Sequence, residues 1–244
     1  MSSRVESVEV PGGSFDLPVW LPETGSGPGL LLIQEIFGIS DYIRAVAEDL
    51  AGLGYVVAAP DLFWRIEPGF DAAHDQEGLA RSLEMAQRFD AEQGVADSVA
   101  ALNHLRELPE VEGGLGVIGF CLGGTIAYFV AGQAEVSAVV SYYGSGVPDS
   151  LEILEQISSP VQFQFGGSDA YIPREQVARV EAAAAGKPNV EVHVEEDAGH
   201  AFHNRKSAMF HMPEPAERAW QRTEEFLRRH LPTRHHAGSA TPAS

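Results

Sequence analysis

Short apolar runs alternate with amphipathic stretches along most of the chain. Residues 8–10 and 15–21 flank Pro11-Gly12-Gly13, which predicts a short N-terminal hairpin at one edge of a sheet. From Gly29 the run Leu30-Leu31-Leu32-Ile33 is apolar without alternation, as a strand buried on both faces of a parallel sheet requires. Ser40 is placed to cap a helix that carries Ile43, Val46, Ala47 and Leu50 on one face. Gly52 and Gly54 end that helix before an apolar strand at 55–59. Helices are expected over about 74–89 and 91–105, the first an insert over one end of the sheet. Strands at 115–119, 138–142, 161–165 and 190–194 then alternate with helices at 122–130, near Leu151, at 174–185 and at 214–230. This pattern predicts an α/β fold, a mostly parallel open sheet with helices on both faces. Residues 1–231 read as a single domain, and the small, polar stretch 232–244 as a flexible tail.

Composition narrows the function. A chain of 244 residues, 44% hydrophobic and 21% charged, is long enough for a full core. Sixteen Lys and Arg against 35 Asp and Glu give a formal charge of −19, which repels phosphate backbones and anionic lipid. Neither nucleic acid nor membrane is expected as a partner; a small-molecule substrate is, with the chain a monomer or a small homo-oligomer. No run approaches the roughly 18 apolar residues of a membrane helix and the opening lacks a signal-peptide core, so a cytoplasmic protein is expected. One cysteine supplies neither an internal disulfide nor a thiolate zinc cluster.

In open α/β sheets the chemistry gathers beyond the carboxyl ends of the strands. After the strand ending at Ile118 stands Gly119-Phe120-Cys121-Leu122-Gly123-Gly124, leading into an apolar helix. This is the nucleophile-elbow pattern with Cys in place of Ser; its glycines clear space around a strained strand-to-helix turn. The helix N-terminus favours a thiolate, and the Leu122 N–H is the first candidate oxyanion donor. A lone cysteine is commonly a small buried hydrophobe, and it is the elbow that argues for the nucleophile. Two further strand ends carry Gly166-Gly167-Ser168-Asp169 and Asp197-Ala198-Gly199-His200. The order Cys121, Asp169, His200 is the nucleophile, acid, histidine order of α/β hydrolases. His200 is then the base and Asp169 the residue that fixes its tautomer, preferred to Asp197, which lies on the histidine's own loop.

Glu35 ends the first core strand and is either a solvated loop acid or a carboxylate facing Cys121, with the following Ile36 N–H a second oxyanion donor. The letters from Gly114 to Gly119 match a dinucleotide fingerprint, but the strand lies between the glycines, so that reading is set aside. His200 and His203 have a metal-compatible spacing without a third ligand, so no metal is expected. Trp64, Tyr142, Tyr143 and Phe202 lie at or near strand ends and are candidates for an apolar substrate pocket.

Over residues 8–230 the sequence resembles the dienelactone hydrolase family of the α/β-hydrolase superfamily. The resemblance rests on Gln34-Glu35-Ile36-Phe37-Gly38, Pro60-Asp61-Leu62, the Cys121 elbow, Tyr142-Tyr143-Gly144 and Ala198-Gly199-His200-Ala201-Phe202. It implies an α/β-hydrolase fold and a cofactor-independent hydrolase, in which Cys121 attacks a lactone or ester carbonyl to give an acyl-enzyme, as in the degradation of aromatic compounds. It implies the triad Cys121, Asp169 and His200, oxyanion donors at Ile36 and Leu122, a Glu35 contact to the resting thiol, and Tyr142 or Tyr143 beside the substrate. Family members hold the dienelactone carboxylate with arginines. One of those positions is Asn204 here, leaving Arg205 next to it and Arg81 or Arg88 in the insert as alternatives. A carboxylesterase acting on neutral short-chain esters is the competing enzyme reading. A redox-sensing thiol or a non-catalytic binding protein is the reading of another class.

Overall fold

The central strand explains the rest of the architecture. Every residue of β3 (Gly27–Ile33) is buried, so both faces of this strand must be covered. The computed structural model describes residues 2–234. It surrounds β3 with β1 (Ser2–Val10), β2 (Gly13–Leu21), β4 (Val56–Ala58), β5 (Val111–Phe120), β6 (Ala138–Tyr142), β7 (Val161–Gly166) and β8 (Val190–Glu195). The eight strands lie in the order β1-β2-β4-β3-β5-β6-β7-β8. From β4 to β8 neighbouring strands pair in parallel, whereas β1 and β2 form an antiparallel hairpin that joins β4 at one edge. The hairpin and the parallel sheet are those expected from the sequence.

Helices cover both faces. Along α1 (Asp41–Gly52) the side chains of Ile43, Val46, Ala47 and Leu50 are buried, as their spacing predicts. Ser40 departs from expectation: its hydroxyl makes no cap bond and is buried without a partner, while its carbonyl accepts from the Arg44 N–H. The insert forms α2 (Gln76–Arg88), capped by the Asp75 carboxylate at the Gly78 N–H, followed by α3 (Ala91–Glu107). The remaining helices are α4 (Leu122–Ala131), α5 (Arg174–Ala184) and α6 (Pro213–His230), with a 3₁₀ turn at Leu151–Glu155.

Strand β7 reads Val-Gln-Phe-Gln-Phe-Gly and is buried on both faces, which obliges its glutamines to find partners. Gln162 and Gln164 reach carbonyls of Arg222 and Ala219 on α6, and the Thr223 hydroxyl donates to Gln162, so α6 is held to the sheet by a polar seam. Of the stretch expected as a tail, Thr233 is buried with its hydroxyl on the Leu53 carbonyl and Arg234 pairs with Glu112; residues 235–244 lie outside the described residues. Among the described residues no helix is long and apolar enough to cross a membrane.

Candidate active site

The β5–α4 junction is a strained turn. Cys121, the N-cap of α4, has φ 56° and ψ −116°, a conformation L-residues rarely adopt. Its glycine neighbours make the turn possible. A Cβ on Gly119 would stand 1.9 Å from the Gly123 carbonyl oxygen, and one on Gly123 would stand 2.2 Å from that of Ile33. The Cys121 N–H is tied to the Tyr142 carbonyl at 3.0 Å, which fixes the elbow against β6.

Three strand ends converge here. His200 Nε2 lies 3.1 Å from Cys121 Sγ, and His200 Nδ1 lies 2.7 Å from Asp169 Oδ2. The other Asp169 oxygen accepts the backbone N–H groups of Tyr171 at 2.7 Å and Ile172 at 3.2 Å, so the carboxylate is locked from both sides. Asp197 is exposed on the surface and has no bond to His200. Burial alone would lower the His200 pKa, but the Cys121 sulfur and the Asp169 bond outweigh it and hold the imidazole well above its ordinary 6.5. An imidazole so placed is able to take a thiol proton and return it to a leaving group.

Asparagine at Asp169 is expected to lower kcat by about 10²–10⁴-fold, because the Nδ1 partner that sets the ring tautomer is lost. Asp197→Asn is expected to leave kcat unchanged, and steady-state kinetics of the two variants make the comparison.

Glu35 is buried, with 1% of its surface exposed, which rules out a solvated loop acid. Glu35 makes no hydrogen bond to the resting thiol. Glu35 Oε2 accepts the Asn204 amide at 2.8 Å and lies 3.7 Å from His74 Nε2, while Oε1 has no hydrogen-bond partner. Cys121 pairs with His200 in its place. Asn204, which stands where family members carry an arginine, therefore engages the acid, and His74 is a neighbour that the sequence did not single out. Glu35 opens a tight turn closed by the Gly38 N–H at 3.2 Å, and Gly38 has φ +79° with the Phe70 carbonyl pressed against it. Ile36 is the second residue of this turn and Leu122 the first of α4, whose N–H has no acceptor within the helix.

Behind the site, His203 stacks between Phe120 and Trp220, and its Nδ1 lies 2.7 Å from the Tyr42 hydroxyl. Burial raises the Tyr42 pKa far above 10, so the phenol keeps its proton and shares a hydrogen bond with that nitrogen. Burial, with Arg205 and His211 nearby, lowers the His203 pKa to about 3. The unfolded chain therefore binds a proton below about pH 6.5 that the folded one refuses, so stability is lost as pH falls from about 6.5 toward 3. The slope is up to about 1.4 kcal/mol per pH unit. Urea unfolding at about pH 7 and about pH 5 should show a larger loss for the native chain than for His203→Gln. Among the described residues no His, Cys, Asp and Glu cluster has the arrangement of a metal site.

A cavity of about 190 Å³ opens over Cys121. Apart from Glu35, Cys121 and His200, its walls are Ile36, Phe37, Leu79, Leu83, Ser145, Tyr171, Ala201 and Phe210. None of the side chains expected at the substrate is among them, neither the four aromatic residues nor Arg81, Arg88 and Arg205. Tyr142 is turned toward α6, its hydroxyl 2.7 Å from Thr223, and Tyr143 and Phe202 pack together in the core behind His200. Trp64 donates to Asp97 at 2.9 Å on the hairpin side of the sheet. Arg81 is drawn to Glu67 and Arg205 to Asp49, at 3.3 Å and 2.5 Å. No lysine or arginine lines the cavity. A wider hollow of about 960 Å³ lies at the opposite ends of the strands, by Leu115, Ser137 and Pro160, and its walls hold neither cysteine nor histidine.

This strand order, with the Cys121 turn after β5 and His200 after β8, is that of the α/β hydrolases. Comparison with known proteins narrows the class. The family model described as the dienelactone hydrolase family matches residues 15–231, and the chain belongs to that family. It is 36% identical over 222 residues to a carboxymethylenebutenolidase of Pseudomonas sp. (strain P51), covering 91% of this chain and 92% of that protein. It is 32% identical to a carboxymethylenebutenolidase of Pseudomonas putida, over 88% and 92% of the two chains. A solved structure from Klebsiella pneumoniae subsp. pneumoniae MGH 78578, provisionally assigned as a dienelactone hydrolase, superposes with a TM-score of 0.80 at 27% identity, over 92% of this chain and 97% of that one. The protein is thus a hydrolase of the dienelactone hydrolase type.

Proposed function

We propose that the protein opens a small lactone, of the kind named for its carboxymethylenebutenolidase relatives, by attack of Cys121 on the carbonyl carbon. The observation that carries this reading is the His200 ring held between Cys121 Sγ and Asp169 Oδ2. His200 receives the thiol proton. The sulfur–carbon bond forms, the ring carbon–oxygen bond breaks, and the leaving oxygen takes the proton from His200. Water then attacks the thioester, His200 accepts its proton, and the sulfur–carbon bond breaks to release the acid as His200 returns that proton to the sulfur. The Ile36 and Leu122 N–H groups are suited to the oxyanion of both steps. Glu35, held by the Asn204 amide, lies beside them in the cavity wall. No cofactor takes part in this cycle.

A second reading, hydrolysis of neutral short-chain esters, is favoured by the cavity walls. They carry no lysine or arginine, so a carboxylate-bearing lactone would enter without the bidentate partner that arginine supplies. The two are separated by assaying a carboxylate-bearing dienelactone beside a neutral nitrophenyl ester, with Cys121→Ala as the control for both. Lactone turnover that disappears in the variant supports the first reading. Turnover of the ester alone supports the second, and activity that survives in Cys121→Ala overturns both.

A further inference from the structure

Four large apolar side chains stand well out of the surface among the described residues: Val5, Leu83, Tyr171 and Met209. Val5 belongs to the edge strand β1, whereas the other three belong to segments that wall one cavity. Leu83 and Tyr171 are walls of the cavity over Cys121, and Met209 precedes Phe210, another wall. They are 41%, 58% and 46% exposed, so the catalytic mouth is ringed by apolar surface that the fold does not use. The cavity itself, about 190 Å³, is smaller than the roughly 300 Å³ at which sites for drug-sized ligands begin.

We infer that this rim is a subsite for the alcohol portion of the substrate, and that the preferred substrate joins a short acyl group to a larger apolar alcohol, alkyl or aryl. The inference rests on the proposed Cys121 hydrolysis and adds to it the substrate's shape and polarity. Orientation follows from proton transfer. His200 hands its proton to the leaving oxygen, so the alcohol lies on the His200 side of the scissile bond. The ring standing there is Tyr171, edge-on to His200 at 4.9 Å between centroids. Tyr171 is fixed by the same loop that fixes the acid, since its N–H is bonded to Asp169. An alcohol chain leaving along this ring passes onto Leu83 and Met209, while the acyl group stays in the small cavity by Ile36 and Phe37. With no lysine or arginine in the walls and Glu35 among them, the geometry suits a neutral molecule.

Two ester series test the subsite. In acetates of straight-chain alcohols only the leaving group lengthens; in ethyl esters of straight-chain acids only the acyl group does. The subsite predicts that kcat/KM rises about two- to fourfold per methylene across the alcohol series, and is flat or falls across the acyl series. Tyr171→Ser and Met209→Ser, both at exposed positions where folding is not at stake, should reduce the slope of the alcohol series. A flat alcohol series, or a rise in the acyl series in its place, overturns the subsite. So does light scattering that finds a dimer dissociated by Leu83→Lys, because a second copy then covers the rim. The underlying hydrolysis is judged separately: ethyl acetate or dienelactone turnover that is lost in Cys121→Ala keeps it standing whatever the slopes. Lactone turnover with every acetate inert removes the subsite alone, and inertness toward all of them removes both.

Discussion

Alanine at position 121 is expected to lower kcat/KM by about 10³-fold or more on whichever lactone or ester the native chain turns over. The alanine side chain has no atom to attack the carbonyl, so the two-step route through a thioester is closed and water must attack directly. What survives is the contribution of the cavity and of the amides proposed as oxyanion donors, those of Ile36 and Leu122, which need no sulfur to polarise a carbonyl. His200→Ala should cost a comparable factor, because the His200 ring 3.1 Å from Cys121 Sγ is the acceptor of its proton. The double variant should then be no slower than either single one. Residues that act as one unit lose their effect together, whereas independent contributions would multiply. Steady-state kinetics of the three variants check this, with circular dichroism to confirm that each is folded. A double variant slower by the product of the two losses would place Cys121 and His200 in separate roles.

The second large effect concerns folding. Gly123→Ala is expected to destabilise the protein by about 3 kcal/mol or more, seen as a lowered Tm. The new Cβ would stand 2.2 Å from the Ile33 carbonyl oxygen and 2.5 Å from that of Gln34. Both are backbone atoms at the end of β3 and cannot rotate aside, so α4 must retreat from the sheet. The same displacement moves the Ile36 turn relative to Cys121, and activity per folded molecule should fall as well. Gly52→Ala is the contrasting case. Its Cβ meets nothing within 4 Å, and it lies in the last turn of α1, where alanine is the better helix former. Its Tm should hold or rise. Equal Tm values for the two variants would remove the packing argument for the elbow.

The sheet and the meeting of Cys121, His200 and Asp169 were legible in the sequence because each rests on a local signal that survives folding. The central buried strand is apolar without alternation, as 30–33 are, and a sharp strand-to-helix turn is glycine-rich, as Gly119, Gly123 and Gly124 are. Asp169 and His200 each follow one of two adjacent parallel strands, β7 and β8, so their meeting follows from the topology. The substrate walls left no comparable trace. An aromatic letter does not state which side of the sheet it faces, and Tyr142 and Tyr143 are both directed into the core. The arginines were misplaced for an electrostatic reason. In a chain with 35 acidic residues to 16 basic ones, Arg81 and Arg205 find carboxylates close by, at Glu67 and Asp49, before they reach a cavity. Some of the true walls did leave a signal. Leu79 and Leu83 are spaced by four on the amphipathic helix α2, which puts them on one face, and Tyr171 stands two residues after the acid whose side chain accepts its N–H. His74 left none, since its approach to Glu35 depends on the path of the chain before α2.

The central claim is a covalent acyl group on Cys121, and the most direct test is the intact mass of the protein quenched in acid during turnover of an activated ester. The account predicts a species heavier by one acyl group, which peptide mapping places on Cys121, and which is absent from Cys121→Ala. Steady turnover with no such species on the native chain, or an acyl group mapped to another residue, would contradict it.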